Sequence, residues 1–324
     1  MSKLSSLLAA YQQQKRKDPE EPSPRPEQKR TALEPPRDPP PDFLILGAQK
    51  AGTMAAVKNL NKHPELFVLK EPHFFDLAWH NKSIAAYCRQ FSNSGKRVRG
   101  EKTPELIYVD DCAPRIKQVC PDAKFILYLR DPVRRAYSAW NMNVNRNTEE
   151  LPFDACCKRN FDNPHEFRSH GTAEYHYVQR GFYLEQILRF LRIFPDRSKL
   201  LIVIAEHVRV NPQREYRRIF EFLGVRADIE LEIEEEHVGS YGKPMSSAMR
   251  DRLIREFRPH NERLFAFLGF RIPEWDGMTP VDPPSELEKT DGDSTAQCQR
   301  LFTEESSTGK PSSVSTHEKD IQPS

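Results

Sequence analysis

The sequence predicts a three-layer α/β fold with a central, mostly parallel β-sheet. Between residues 42 and 275, short and almost wholly apolar runs alternate with longer runs whose apolar residues recur every three or four positions. The first pattern is typical of strands buried on both faces, and the second of amphipathic helices. Strands that alternate with helices form a parallel sheet with helices on both sides.

The individual elements follow from these two patterns. Strands are predicted at 43–46, 66–70, 124–130 and 199–207. Helices are predicted at 53–62, 132–144, 182–194, 212–223 and 247–269, with Pro132 opening the second and Gly224 ending the fourth. Within the stretch 100–108, a turn is predicted at Thr103–Pro104, directly after Lys102.

The two ends of the chain differ from this central domain, 42–275, in composition. Residues 1–41 are rich in proline and charge, and residues 276–324 in serine, threonine and acidic residues. Both segments are predicted to be disordered, because they bury too little apolar surface to offset chain entropy. The basic pairs within residues 15–30 belong either to a solvated charged tail or to a bipartite nuclear import signal.

Bulk composition narrows the possible function classes. A formal net charge of +2 on 324 residues argues against a nucleic-acid binder. The six cysteines lack the spacing of a zinc site and are expected to be reduced thiols. No apolar run has the length of a membrane span and no secretory signal is recognisable, so we expect a cytoplasmic protein without a membrane partner. The alternative is a Golgi protein whose true N-terminus is missing from this sequence.

The segment GAQKAGT, residues 47–53, joins the first strand to the first helix. Backbone N–H groups at such a turn and the positive end of the helix dipole favour phosphate. In a nucleotide triphosphatase loop a lysine follows the second glycine, but here Thr53 stands in that place and Lys50 lies inside the loop. The candidate binding residues of this loop are Lys50, Ala51, Gly52, Thr53 and Met54.

A second phosphate site is predicted after the third strand. Arg130 lies at the carboxyl end of that strand, which is the same sheet edge as the first loop. Its guanidinium group matches phosphate geometry, and Ser138 follows about two helical turns later. The alternative is that Arg130 pairs with Asp131 or with another carboxylate.

Two further segments offer acid–base chemistry. Glu71, His73 and Asp76 follow the second strand, and a carboxylate beside a histidine provides a general base. The alternative is a surface loop anchored by its two phenylalanines. Lys102 is either a site residue or an ordinary solvated lysine.

Taken together and in this order, these segments resemble the sulfotransferases that use 3′-phosphoadenosine 5′-phosphosulfate (PAPS). The resemblance is closest to the heparan sulfate N- and 3-O-sulfotransferases and their bacterial-type relatives, over about residues 42–270. GAQKAGT resembles the family's 5′-phosphosulfate loop, and LYLRDPVRRAYSAW its 3′-phosphate motif. EPHFFD and EKTP resemble segments of the 3-O-sulfotransferases, and GFYLEQILRFLRIFP and PHNERLFAFLG resemble later helices.

The resemblance implies a P-loop-like fold and a donor site for PAPS. Lys50 would contact the bridging oxygen of the phosphosulfate, and Thr53 with neighbouring N–H groups would bind the 5′-phosphate. Arg130 and Ser138 would bind the 3′-phosphate. The product would be 3′,5′-adenosine bisphosphate, and no metal is implied.

The resemblance also implies direct in-line transfer to an acceptor. Glu71 would act as the base, His73 and Asp76 would orient the base or the acceptor, and Lys102 would stabilise charge on the sulfuryl group. The acceptor is expected to be a carbohydrate or a small molecule that offers a hydroxyl or an amine.

Some positions depart from the family pattern and leave alternatives open. Met54 stands where the family often has threonine or arginine, and no cysteine pair lies in 225–270. The stretch GSYGKPM stands in place of the family's basic loop, and its Lys243 is a candidate donor ligand. Other interpretations are a cytosolic small-metabolite N-sulfotransferase, a nucleotide kinase, or a catalytically silent binding protein. The oligomeric state stays open. Five arginines form either a basic cleft or solvated faces: Arg134, Arg135, Arg146, Arg159 and Arg180.

Overall fold

A computed structural model of the chain describes residues 38–92, 94–163, 175–234 and 245–277. Lys243 lies outside these residues, as do both predicted tails apart from residues 38–41 and 276–277. The disorder predicted for the tails therefore stays a prediction. None of the helices within the described ranges is long and apolar enough to cross a bilayer.

Five parallel strands form the central sheet, in the order β2-β3-β1-β4-β5. The strands are β1 (Phe43–Ile45), β2 (Leu66–Lys70), β3 (Val98–Lys102), β4 (Lys124–Leu129) and β5 (Leu200–Ile204). The order reverses at β1, whose neighbours are β3 and β4. In parallel α/β sheets, ligands bind at the carboxyl ends of the strands beside such a reversal.

Nine helices in the described part of the chain cover the sheet or pack beside it. They are α1 (Thr53–Leu60), α2 (Ile84–Ser92), α3 (Cys112–Val119), α4 (Pro132–Asn145), α5 (Phe153–Asp162), α6 (Tyr183–Ile193), α7 (Ala205–Val210), α8 (Pro212–Leu223) and α9 (Ser247–Leu268). The predicted α/β fold with a parallel sheet is confirmed. The main core packs on the sheet, and a second apolar cluster joins α4, α5 and α9. The five described cysteines are buried and free.

Two details of the structure differ from the prediction. No strand was predicted before the turn at Thr103–Pro104, but Val98–Lys102 form β3, and the predicted turn follows it directly. Glycine, glutamate and lysine are poor strand formers, but β3 lies between β2 and β1 and pairs with both. Gly100 permits the close packing there, since a Cβ atom would lie 2.4 Å from the Phe43 ring. The strand predicted over 199–207 ends at Ile204, where α7 begins.

Candidate active site

The predicted donor loop lies at the carboxyl end of β1 and leads into α1. Gly47 packs closely against the turn that follows β3, where a Cβ atom on residue 47 would lie 2.5 Å from the Pro104 carbonyl oxygen. Gly52 is the N-cap of α1 at φ 84° and makes no side-chain cap to the first-turn N–H groups. Lys50 also has a positive φ, 68°. The start of α1 is therefore open to an anion.

Arg130 joins the second predicted phosphate site to this loop. Its Nη1 donates to the Lys50 carbonyl oxygen at 3.0 Å, and its own carbonyl accepts from the Tyr183 hydroxyl at 2.7 Å. Its buried Nε has no hydrogen-bond partner among the described residues. The alternative of an Arg130–carboxylate pair is not seen in these residues. Ser138 lies buried on α4.

Asp131 has a structural role in place of that pair. Its carboxylate accepts from the N–H groups of Val133 and Arg134 at 2.8 and 3.4 Å and so caps α4. Its own N–H donates to Glu206 Oε1 at 3.1 Å. Burial, reinforced by the charge of Glu206, raises the pKa of Asp131 to about 6. The cap fixes the start of α4 directly after Arg130.

Glu71 and Lys102 form the most direct contact between the predicted catalytic residues. Lys102 Nζ donates to Glu71 Oε1 at 2.5 Å and lies 3.4 Å from Met54 Sδ. Lys102 is 2% exposed, so the interpretation as a solvated lysine was wrong. Burial acts to raise the pKa of Glu71, but the hydrogen bond and charge of Lys102 outweigh it and lower that pKa. The positive φ of Glu71, 47°, marks a sharp bend after β2.

His73 and Asp76 form a second pair beside Glu71. His73 Nδ1 and Asp76 Oδ2 lie 2.8 Å apart, and this hydrogen bond raises the pKa of His73. Asp76 is buried, and its other oxygen has no hydrogen-bond partner among the described residues. The pair orients the imidazole at the edge where Glu71 lies.

Glu105 was missed by the sequence reasoning and connects the two sides of the site. Its Oε1 accepts from Gln49 Nε2 at 3.4 Å and from Arg180 Nη2 at 3.5 Å. Glu105, His73 and Asp76 place possible metal-ligand atoms within 4.8 Å of one another. That spacing alone does not define a metal site, and the absence of a metal stays a prediction. Partners that lie 56 and 75 positions away left no signal in the sequence.

The five arginines considered for a basic cleft divide into distinct groups. Arg134 lies 3.7 Å from Asp131, and Arg159 lies 3.4 Å from Glu149. Arg135 and Arg180 are buried, so neither belongs to a solvated face, whereas Arg146 is exposed. A continuous basic surface formed by all five is therefore not present.

The chain belongs to the sulfotransferase domain family, whose model matches residues 40–258. Among curated proteins, it is 32% identical over 190 residues to the Mus musculus heparan sulfate glucosamine 3-O-sulfotransferase 3B1; the match covers 57% of this chain and 46% of that protein. It is 27% identical over 274 residues to the Mus musculus bifunctional heparan sulfate N-deacetylase/N-sulfotransferase 3, covering 72% of this chain and 31% of the relative. The chain thus spans about half the length, or less, of these relatives.

A solved structure agrees with this assignment. The sulfotransferase from Alicyclobacillus acidocaldarius superposes with a TM-score of 0.64 and 27% identity, over 72% of this chain and 98% of the other. The predicted family and its P-loop-like α/β fold are confirmed.

Proposed function

We propose that this chain transfers the sulfuryl group of PAPS to a hydroxyl, or an amine, of a carbohydrate or small-molecule acceptor. The observation that carries the proposal is the position of Lys102. Its buried ammonium bonds the predicted base, Glu71, and contacts Met54 in the first turn of the predicted donor helix. The Lys102 ammonium therefore lies between Glu71, which would take the acceptor's proton, and the start of α1, where the donor would bind.

The residues at the loop and at α4 fit a donor with two anionic ends. The open start of α1, with Ala51, Gly52, Thr53 and Met54, suits the 5′-phosphate. Arg130 offers a buried Nε without a partner in the described part of the chain, and Ser138 lies on the helix that follows; these two would hold the 3′-phosphate. Lys243 stays a predicted additional ligand.

The chemistry follows from the charges that move during transfer. Glu71 would take the proton of the acceptor oxygen while that oxygen forms its bond to sulfur. As the bond from sulfur to the bridging oxygen breaks, the electron pair stays with the leaving phosphate. Lys50 would neutralise that charge, and Lys102 would stabilise the sulfuryl oxygens. Removing one such preorganised donor typically lowers kcat by about 10²–10³-fold.

The ion pair in this structure holds Glu71 ionised but makes it a weak base. Lys102 lowers the pKa of Glu71. When Lys102 turns toward the sulfuryl oxygens, that restraint weakens, the pKa of Glu71 rises, and the carboxylate accepts a proton more readily. His73, held by Asp76, would orient the acceptor or the base.

The acceptor class is proposed from the relatives. Their names describe sulfation of heparan sulfate and its glucosamine units, and a carbohydrate is therefore the first acceptor to test. A small-metabolite amine is the second, because the described part of the chain shows no continuous basic surface formed by the five candidate arginines. The cytoplasmic location stays a prediction.

Calorimetric titration with 3′,5′-adenosine bisphosphate tests the donor site. We expect binding of the bisphosphate, much weaker binding of 5′-AMP, and no preference for ATP with magnesium. Preference for ATP with magnesium would favour a kinase instead. Glu71→Gln separates an enzyme from a binding protein, because it should abolish turnover and keep bisphosphate affinity.

A further inference from the structure

Three arginines near the start of α4 lie close enough for the charges of Arg130 and Arg180 to act on Arg135. Arg130 precedes the helix, Arg135 lies in its first turns, and Arg180 belongs to the short helical turn Gln179–Gly181. Arg135 is 0% exposed and Arg180 is 3% exposed. Fully buried arginines are rare in proteins unless a carboxylate or another anion accompanies them.

The counter-charge for this cluster is incomplete among the described residues. Arg135 donates through Nη2 only to the Tyr177 carbonyl oxygen, and Arg130 donates only to the Lys50 carbonyl oxygen. Arg180 Nη2 lies 3.5 Å from Glu105 Oε1, and the same oxygen also accepts a hydrogen bond from Gln49 Nε2. Three positive charges thus share one carboxylate contact within the described part of the chain.

Several buried N–H groups of the cluster also lack acceptors. The atoms without a hydrogen-bond partner in the described residues are Arg130 Nε, Arg135 Nε and Nη1, and Arg180 Nε and Nη1. Burial, together with the charges of Arg180 and Arg130, lowers the pKa of Arg135 to about 10. Proteins seldom leave so many buried donors unpaired, because each carries a desolvation penalty.

The surrounding packing holds the cluster in place. A Cβ atom on Gly181 would lie 3.0 Å from Pro132 Cβ and 2.5 Å from the Phe257 ring, so only glycine lets the segment of Arg180 approach α4 this closely. The Arg180 guanidinium also lies 4.8 Å from the centre of the Tyr108 ring. Arg135 and Ser138, three positions apart on α4, lie on the same side of that helix.

We propose that Arg135 and Arg180 are positioning residues of the 3′-phosphate subsite, and that the doubly charged 3′-phosphate of the donor is the counter-ion that the described residues do not supply to this cluster. This inference rests on the proposed function. Both residues act through their charge on the phosphate that Arg130 and Ser138 bind. They make the site select a donor that carries a 3′-phosphate over one that carries only a 5′-phosphate.

The test compares two ligands and two buried arginines in the full chain. Arg135→Met and Arg135→Lys are titrated with 3′,5′-adenosine bisphosphate and with 5′-AMP, and their unfolding is measured without ligand. Arg115→Met is the matched control, because Arg115 is also buried but has a carboxylate partner, Asp111, at 3.1 Å.

We expect Arg135→Met to weaken bisphosphate binding about tenfold and to leave 5′-AMP binding unchanged, since one charge acting on a nearby phosphate has an effect of that order. Arg135→Lys should keep most of the affinity. Unliganded Arg135→Met should be at least as stable as the wild type, because an incompletely paired buried cation is removed. Arg115→Met should be less stable and bind the bisphosphate normally.

Other results would overturn the inference in distinguishable ways. Wild-type bisphosphate affinity in Arg135→Met, or an equal loss for both ligands, contradicts the inference while leaving the proposed function intact. If the wild type binds no bisphosphate, the proposed function fails and the inference fails with it. If Arg135→Met does not fold, Arg180→Met must lose affinity for the bisphosphate while keeping its affinity for 5′-AMP. An equal loss for both ligands, or no loss, rejects the proposal.

Discussion

Replacing Glu101 with glutamine should flatten the pH dependence of folding stability. Glu101 lies in β3 next to Lys102, its side chain is fully buried, and neither carboxylate oxygen has a hydrogen-bond partner among the described residues. Burial raises the pKa of Glu101 from the ordinary 4.5 to about 8, and the nearby hydroxyl of Tyr87 opposes this only in part. The folded protein therefore holds a proton that the unfolded chain releases.

The size of the effect follows from the two pKa values. Between pH 4.5 and about 8 the unfolded chain loses this proton and the folded chain keeps it. The free energy of unfolding should then fall by about 1.4 kcal/mol per pH unit, or about 5 kcal/mol across the window. The stabilisation by protonated Glu101 is fully present below pH 4.5, the pKa in the unfolded chain. It is lost as the pH rises through about 8, the pKa in the folded protein.

Urea unfolding of the wild type and of Glu101→Gln across this window measures the difference. Glu185→Gln is a suitable control, because Glu185 is paired with His260 and Arg263 and its pKa is lowered instead of raised. The slope attributed to Glu101 should persist in the control and vanish in Glu101→Gln. Equal slopes in the wild type and Glu101→Gln would refute the reasoning, and with it the placement of Glu101 inside the sheet.

Three further substitutions test the site. Lys50→Ala should weaken both bisphosphate affinity, measured by calorimetry, and turnover; unchanged affinity would count against the loop assignment. Lys102→Met should lower kcat about 10²–10³-fold. This substitution also removes the group that lowers the pKa of Glu71, so the acid limb of the pH–rate profile should move to higher pH. An acid limb at the wild-type pH would contradict the ion pair between Lys102 and Glu71. Asp131→Ala should destabilise the fold by about 1 kcal/mol in urea unfolding through loss of the α4 cap, and no change would dismiss that cap.

Much of the sheet could be predicted because its strands are apolar throughout. Phe43–Ile45 and Lys124–Leu129 are buried on both faces, so their composition alone indicates strands. The strand Val98–Lys102 has no such composition, and it forms because the strands on either side supply its hydrogen bonds. Local propensity cannot reveal an element that tertiary pairing stabilises.

The same distinction holds for the candidate site. Lys50, Glu71 and Arg130 could be proposed because they stand in motifs next to apolar strands. The contact between Lys102 and Glu71 spans 31 positions, and that between Arg130 and Lys50 spans 80, so their proximity depends on strand order. Glu105 stands in no motif of its own and became visible only when the fold placed it beside Gln49 and Arg180.

A measurement of sulfuryl transfer itself tests the proposed activity most directly. The full chain would be incubated with isotopically labelled PAPS and with glucosamine-containing oligosaccharides or small amines, and the products would be analysed by mass spectrometry beside Glu71→Gln. We expect labelled sulfate on an acceptor with the wild type and none with Glu71→Gln, although both proteins bind the bisphosphate equally. Transfer that persists in Glu71→Gln would contradict the assignment of the base, and donor binding without transfer to any acceptor would favour a silent binding protein.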